Sequence, residues 1–300
     1  MDDLAIVDAH HHLWDLSRNH YPWLQDAPKH SDFLGDYSAL RRDYLPEDYR
    51  RDAAGFRVIK TVHVEAEMDR DRQVAETAWL HEIHERYGMP NAVVGHVWFT
   101  DPACDEKLAQ HAAYPLVRGI RSKPVTAPSP RDSVRGQAGT MQDPKWLAGF
   151  ALLQKHKLSW DLRVPYWHLA EAAQVARDFP DTAIVLNHTG FPWDRSPEGL
   201  AAWRRGMAAL AACPNVHVKI SELGLLTQPW SVAGNRGVVL DAVAIFGIDR
   251  CMFATNFPVA GLFASYATIV NGMAEILGHL PAAQRAAFFA GNARKFYRIA

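Results

Sequence analysis

Eight short runs of apolar residues, many of them β-branched, recur along the chain, at residues 5–14, 58–65, 92–98, 116–121, 158–164, 182–188, 216–221 and 250–256. Runs of this length bounded by turn residues read as buried strands. Stretches with helical spacing separate them. Residues 70–87 carry Val74, Trp79, Leu80 and Ile83 at helical intervals before Gly88, and similar stretches lie at 104–111, 144–155, 168–179, 199–212 and 238–246. Between the first two runs, Pro46-Glu47-Asp48-Tyr49-Arg50 places a proline in the first turn and acids near the positive end of a helix. Strands that alternate with helices imply a parallel sheet. Eight such units in 300 residues suit a (β/α)8 TIM barrel of the α/β class better than an open doubly wound sheet. No Gly-x-Gly-x-x-Gly follows the first run and no Gly-x-x-x-x-Gly-Lys occurs, which removes the usual nucleotide-binding readings. With no internal repeat and no low-complexity tract, residues 1–300 are expected to form a single domain.

A formal net charge of −1 supplies no electrostatic case for nucleic acid or an anionic membrane surface, so a small-molecule substrate is the expected partner. Met1-Asp2-Asp3-Leu4 leads straight into the first strand, without a basic leader or an apolar segment of membrane length. Cys104, Cys213 and Cys251 are widely spaced and form no Cys-x-x-Cys pair. They make neither a disulfide framework nor a thiolate zinc site, and they fit a reducing cytoplasm. Two connections are long. Residues 20–46 are aromatic and read as a loop folded over a site, and 122–143, rich in Pro, Ser, Gly and charge, read as a mobile flap over the strand ends.

The first run ends in Asp8-Ala9-His10-His11-His12. Side chains alternate along a strand, so His10 and His12 are expected on one side and His11 on the other. Two imidazoles two residues apart can meet one divalent cation, zinc being the usual one. In a barrel of this kind the active site lies at the carboxyl ends of the strands. The residues there are His10, His12, His63, Glu65, His96, Arg121, Arg163, His188, Lys219 or Ser221, Glu222 and Asn256. Of these, His63, Glu65 and Arg163 are taken as substrate contacts, together with Trp14 and Trp23, whose rings would stack on a sugar or a flat diacid.

Asp8-Ala9-His10-His11-His12-Leu13-Trp14 with Tyr21-Pro22-Trp23-Leu24, Gly119-Ile120-Arg121, Val185-Leu186-Asn187-His188-Thr189-Gly190, Phe253-Ala254-Thr255-Asn256-Phe257-Pro258 and Gly291-Asn292-Ala293-Arg294-Lys295-Phe296-Tyr297 occur in this order. The set resembles the amidohydrolase superfamily, and more narrowly its amidohydrolase-related branch, which holds lactonases for sugar acids and for carboxylated lactones of aromatic breakdown. The resemblance implies that His10 and His12 line a divalent metal and that His188 either joins them as a ligand or polarises the substrate carbonyl. It implies that Arg121 meets substrate oxygens, a task suited to the guanidinium fork.

Two departures accompany the resemblance. Most of the superfamily ends its eighth strand with an aspartate that binds metal and takes the proton from water, where this chain has Asn256, and an amide is neither a base nor a good zinc ligand. The fifth strand offers Asp161 and Arg163 in place of a histidine, which argues against a binuclear centre. Lactone hydrolysis is the expected reaction, with His188, Arg121 and Asn256 as the catalytic positions. Either one divalent metal on His10, His12 and a third group such as His188 or Glu65 activates water, or the metal is dispensable, a histidine acts as base, and Arg121 and His188 stabilise the oxyanion. A zinc-dependent non-oxidative decarboxylase and a catalytically inactive barrel with a binding role are the alternatives. The loop tryptophans fit a pocket wall or a homo-oligomeric interface equally well.

Overall fold

The computed structural model describes residues 4–26, 30, 31 and 34–300. The reading of residues 1–3 therefore lies outside the described residues, as does part of the 20–46 loop.

Eight strands run in parallel in one sheet: β1 (Ile6–His11), β2 (Val58–Val64), β3 (Ala92–Gly95), β4 (Val117–Ile120), β5 (Ser159–Leu162), β6 (Ile184–Leu186), β7 (Val216–Ile220) and β8 (Cys251–Phe253). Their spatial order follows the chain order, as consecutive right-handed crossovers require. The helices α1 (Pro46–Asp52), α2 (Gln73–Tyr87), α3 (Cys104–Ala112), α4 (Pro144–Lys155), α5 (Leu169–Asp178), α6 (Pro197–Ala211) and α7 (Val232–Phe246) supply the crossovers, and α8 (Tyr266–Ile276) follows β8. Local chemistry starts several of them. Pro46, Pro144 and Pro197 occupy first turns, and Asp143, Ser196, Ser231 and Ser265 accept backbone N–H bonds at the amino ends. The expected (β/α)8 barrel is the observed one.

The strands are shorter at their carboxyl ends than the apolar runs suggested. The sixth ends at Leu186 rather than 188 and the eighth at Phe253 rather than 256. The chain leaves the ladder there because His188, Glu222 and Asn256 adopt left-handed backbone angles, with φ of 57°, 53° and 63°. These side chains are thereby turned over the mouth of the barrel rather than along its wall.

Two backbone bonds join the carboxyl ends of the first and last strands. Asn256 N–H donates to His10 O at 2.7 Å, and His12 N–H to Phe257 O at 2.8 Å. Beside them the buried Asp8 accepts from the Thr255 N–H (2.9 Å) and hydroxyl (2.5 Å) and from the Tyr49 hydroxyl (2.9 Å), tying β1 to the end of β8 and to α1. An irregularity in register between Asp8 and His11 lets Asp8 face outward while His10 faces the barrel mouth.

Below the mouth the barrel is filled by Val7, Ala9, Val62, Val64, Val94 and Met252, against Ala293, Phe296 and Tyr297 from the end of the chain. A polar column crosses this packing. Tyr297 donates to both Asp161 oxygens at 3.0 Å, and Asp161 is ion-paired with Lys219, both fully buried. Burial pulls the Lys219 ammonium down, and the Asp161 charge opposes that. Removing one partner of a buried pair leaves the other charge without compensation. Asp161→Ala is therefore expected to lower unfolding stability by about 3–5 kcal/mol, read from urea denaturation, and the double variant Asp161→Leu/Lys219→Met to recover most of that loss.

Candidate active site

The barrel mouth opens into a cavity of about 300 Å³, lined by Arg121, Lys123 and Arg163 after β4 and β5 and by His188, Glu222, Asn256 and His12 after β6, β7, β8 and β1. Trp23, Leu34, Tyr37 and Phe191 form its apolar walls. The long connections contribute as expected: Trp23, Leu34 and Tyr37 come from the 20–46 loop, and Lys123 from the start of the 122–143 segment. That segment is anchored where Ala127 N–H donates to His168 Nε2 (2.8 Å) and Trp167 Nε1–H donates to Ala127 O (3.0 Å).

His10, His12 and His188 come together. The His10 ring lies 5.0 Å from the His12 ring and 4.5 Å from the His188 ring, while His11 packs on Tyr49 and His63 on the opposite side. All three are held well below the ordinary imidazole range, first by burial and then by neighbouring cations: Lys219 beside His10, Arg121 near His12, and Arg163 near His188. They are neutral rings at physiological pH. His12 Nδ1–H donates to Val64 O (2.7 Å), which leaves Nε2 of the neutral ring as a lone pair 3.0 Å from Asn256 Oδ1. Lys219 Nζ stands 3.4 Å from His10 Nδ1, and His10 Nε2 is buried without a hydrogen-bond partner among the described residues. His188 Nδ1 lies 3.1 Å from Ser221 Oγ. Among the described residues, no three His, Cys, Asp or Glu side chains gather in a way that would hold a metal ion.

Three of the expected substrate contacts lie behind the wall. Glu65 is fully buried, and its carboxylate is consumed by Arg121 Nε (2.6 Å), Arg70 Nη1 (2.8 Å) and the Glu67 N–H (2.9 Å). Against the burial that would raise it, Arg121 and Arg70 hold its carboxyl well below the usual range. It thus fixes Arg121 rather than meeting substrate or metal. The sequence between them helps, because a Cβ at Gly119 would collide with the Ser159 side chain and backbone where β4 packs on β5. His63 is wholly buried with Nε2 directed to Leu13 O at 3.2 Å, and Trp14 is wholly buried with its indole N–H on Arg42 O at 2.7 Å. His96 is likewise enclosed, 2.5 Å from Gln73 Oε1. Trp23 and Arg163 do reach the cavity, the Arg163 guanidinium lying 5.0 Å from the centre of the Phe191 ring.

Three charged groups in the wall were given no role by the sequence reading. Lys123 forms an ion pair with Glu67, and burial together with Arg163 pulls its ammonium down to about 7. Glu222 accepts a hydrogen bond from Asn256 Nδ2, and burial pushes its carboxyl up to about 7 against the opposing effects of Asn256 and Arg163. The amide of Asn256 thus spans His12 and Glu222. The local signal was the acid directly after strand β7, in Ile220-Ser221-Glu222. Among the described residues, eight non-glycine positions have left-handed φ, and five of them, Glu67, His188, Phe191, Glu222 and Asn256, line this cavity. Such conformations cost about 1–3 kcal/mol each and persist where surrounding structure enforces them, typically at functional sites.

The Glu222 shift has a stability consequence of fixed sign. The folded state holds the Glu222 proton up to about pH 7, whereas the ordinary carboxyl releases it near 4.5. The associated stabilisation is therefore complete below about pH 4.5 and is lost as pH rises through 7. Denaturation midpoints of the wild type and Glu222→Gln, measured from pH 4 to 8, should diverge over this window, with the wild type losing roughly 3 kcal/mol relative to the variant.

The model of a family described as "Amidohydrolase" matches residues 7–299. An uncharacterized protein, y4mH of Sinorhizobium fredii, is 40% identical over 299 residues, covering 100% of both chains. An L-fucono-1,5-lactonase of Burkholderia multivorans is 30% identical over 308 residues, covering 98% of this chain and 96% of that one. The crystal structure of an amidohydrolase from Burkholderia multivorans with bound zinc superposes with a TM-score of 0.80 at 26% identity, covering 99% of this chain and 100% of the other.

Proposed function

Since the chain belongs to the amidohydrolase family, we propose that it is a lactonase that opens a sugar-acid lactone. The observation that carries this reading is the cavity itself: the cationic donors Arg121, Lys123 and Arg163, the carboxyl groups of Glu67 and Glu222, and aromatic walls line one volume of about 300 Å³. That volume suits a single six-membered ring with its hydroxyls. The relative that is an L-fucono-1,5-lactonase, 30% identical over nearly its whole length, supports the same substrate class.

Three features of the site support the chemistry. The apolar walls of Trp23 and Phe191 match the carbon face of a sugar ring. Hydroxyls meet the charged pair Lys123–Glu67, which can both donate and accept. The carbonyl is placed toward His188 and Arg163. The reading takes the tautomer in which the Ser221 hydroxyl donates to His188 Nδ1 (3.1 Å), so that Nε2–H of the neutral ring serves as a hydrogen-bond donor to the developing oxyanion. Arg121, held in place by Glu65, adds fixed positive charge beside it. A lactone ester is a more reactive acyl group than an amide, so these donors and a base suffice.

A metal would meet His10 Nε2 and His12 Nε2, the latter ring oriented by its Nδ1–H on Val64 O, and among the described residues no third His, Cys, Asp or Glu joins them in ligand geometry. The donor set does not fit a three-ligand centre, and no step is assigned to a metal.

The test is proton release in weak buffer by the purified chain, before and after chelator treatment. The substrates are L-fucono-1,5-lactone, other aldono-1,5- and 1,4-lactones, and a carboxylated lactone. Turnover of an aldonolactone that survives chelation is expected, and His188→Ala should lower kcat about 10²-fold or more. Wild-type rates equal to spontaneous hydrolysis on every lactone would overturn the reading. Preference for the carboxylated lactone would move the substrate class to anions held by Arg121, Lys123 and Arg163.

A further inference from the structure

Asn256 stands where a base is needed and is not one, which leaves the origin of the attacking hydroxide open. We propose that Glu222, at the carboxyl end of β7, is the general base of this site and that Asn256 is the residue that positions it. The inference rests on the lactonase reading above and supplies its missing proton acceptor.

Four observations carry it. Glu222 lines the cavity beside His188 and Arg163, which follow the two preceding strands of the barrel. Asn256 Nδ2 donates to Glu222 Oε2, so one oxygen is anchored and Oε1 is left to take a proton. Glu222 and Asn256 both hold left-handed φ, of 53° and 63°, without being glycine, so the fold enforces the conformations that bring the carboxylate and the amide together. Glu222 also differs from the other carboxylates around the mouth. Glu65 is spent on Arg121 and Arg70, and Glu67 on Lys123. Glu222 is bound by an uncharged amide, which orients the carboxylate and lowers its proton affinity without outweighing burial, so the carboxyl stays at about 7.

An amide also does at position 256 what a carboxylate cannot. An aspartate there would set a second negative charge against Glu222, and the pair would share a proton instead of presenting one defined base. Asn256 donates from Nδ2 to Glu222, and its Oδ1 stands 3.0 Å from His12 Nε2 at the barrel seam.

The step balances without a cofactor. Glu222 Oε1 accepts one proton from water as the water oxygen bonds to the lactone carbonyl carbon, and the oxyanion forms against His188 and Arg163. Collapse breaks the acyl–ring oxygen bond, and the protonated Glu222 returns its proton to the departing alkoxide. One water is consumed and a hydroxy acid is released. Burial places Glu222 near neutrality, where a base of this kind works best. The charged and titratable groups facing it are Arg163 and His188 on its own side, His12 through Asn256, and Arg121, Lys123 and Glu67 across the cavity; Arg195 stands behind it on Leu223 O.

The experiment uses the full chain and whichever lactone the wild type hydrolyses. Glu222→Gln should lower kcat by about 10²–10⁴-fold with KM little changed. The wild-type kcat profile should rise with pH through an acid limb that is absent in Glu222→Gln. Asn256→Ala should keep measurable turnover and move that limb to higher pH, because the hydrogen bond that favours the ionised carboxylate is gone; a purely structural Asn256 would lower the rate without moving the limb. Infrared difference titration of wild type minus Glu222→Gln supplies a readout independent of turnover, with a carboxyl band disappearing near pH 7. Wild-type turnover with Glu222→Gln equally active, or a carboxyl band that titrates below pH 5, would overturn the base assignment and leave the lactonase reading standing. Absence of wild-type turnover on every lactone would overturn both.

Discussion

The seam between the first and last strands is the constraint on which this site depends. Two backbone bonds, Asn256 to His10 and His12 to Phe257, draw the carboxyl ends of β1 and β8 together. The residues that make those bonds are the residues whose side chains face the mouth. Closing the barrel and assembling the site are therefore one event: His12 reaches Asn256 because their backbones are stitched together one residue away. Asp8 reinforces the seam from outside through Thr255 and Tyr49, and the Lys219–Asp161–Tyr297 column supports His10 from below. Positions fixed by backbone bonds hold side chains more tightly than loops do, which is what a site must achieve before substrate arrives.

Charge around the mouth is arranged so that cations are held by anions behind or within the wall. Arg121 and Arg70 share Glu65, Lys123 takes Glu67, and Lys219 takes Asp161. In a low-dielectric surrounding each unpaired charge would be costly, and these pairings offset part of the desolvation that burial imposes on Lys123 and Lys219. The same surrounding keeps the histidines neutral. A neutral imidazole donates a directed hydrogen bond to an oxyanion and does not compete for the water proton. Glu222, anchored by an amide, is the group whose proton affinity burial raises to about 7. The site thus separates its donors from its proton acceptor by environment rather than by residue type.

Much of the architecture was legible because it rests on local pattern. Eight apolar runs separated by helical stretches specify a barrel, and the alternation of His10, His11 and His12 foretold which two would meet. The gathering of His188 with them was carried by resemblance and is seen in the geometry. What could not be read was the partner each charge had chosen. Glu65 and Arg121 lie 56 residues apart, and nothing in either segment shows that the guanidinium consumes the carboxylate. His63 and Trp14 sit at strand ends as expected, yet their hydrogen bonds to Leu13 O and Arg42 O turn them inward. The loss of the usual eighth-strand acid was plain from Asn256. Its counterpart at Glu222 was not, because that pairing depends on two left-handed residues from different strands.

The central claim is that ring opening takes place between His188, Arg163 and Glu222. A crystal structure with the ring-opened hydroxy acid of the preferred lactone tests it most directly. The account predicts the new carboxylate with one oxygen toward His188 Nε2 and Arg163 and the other within hydrogen-bond distance of Glu222, and the sugar carbons against Trp23 and Phe191. A carboxylate bound away from Glu222, or one held by a metal on His10 and His12, would contradict it.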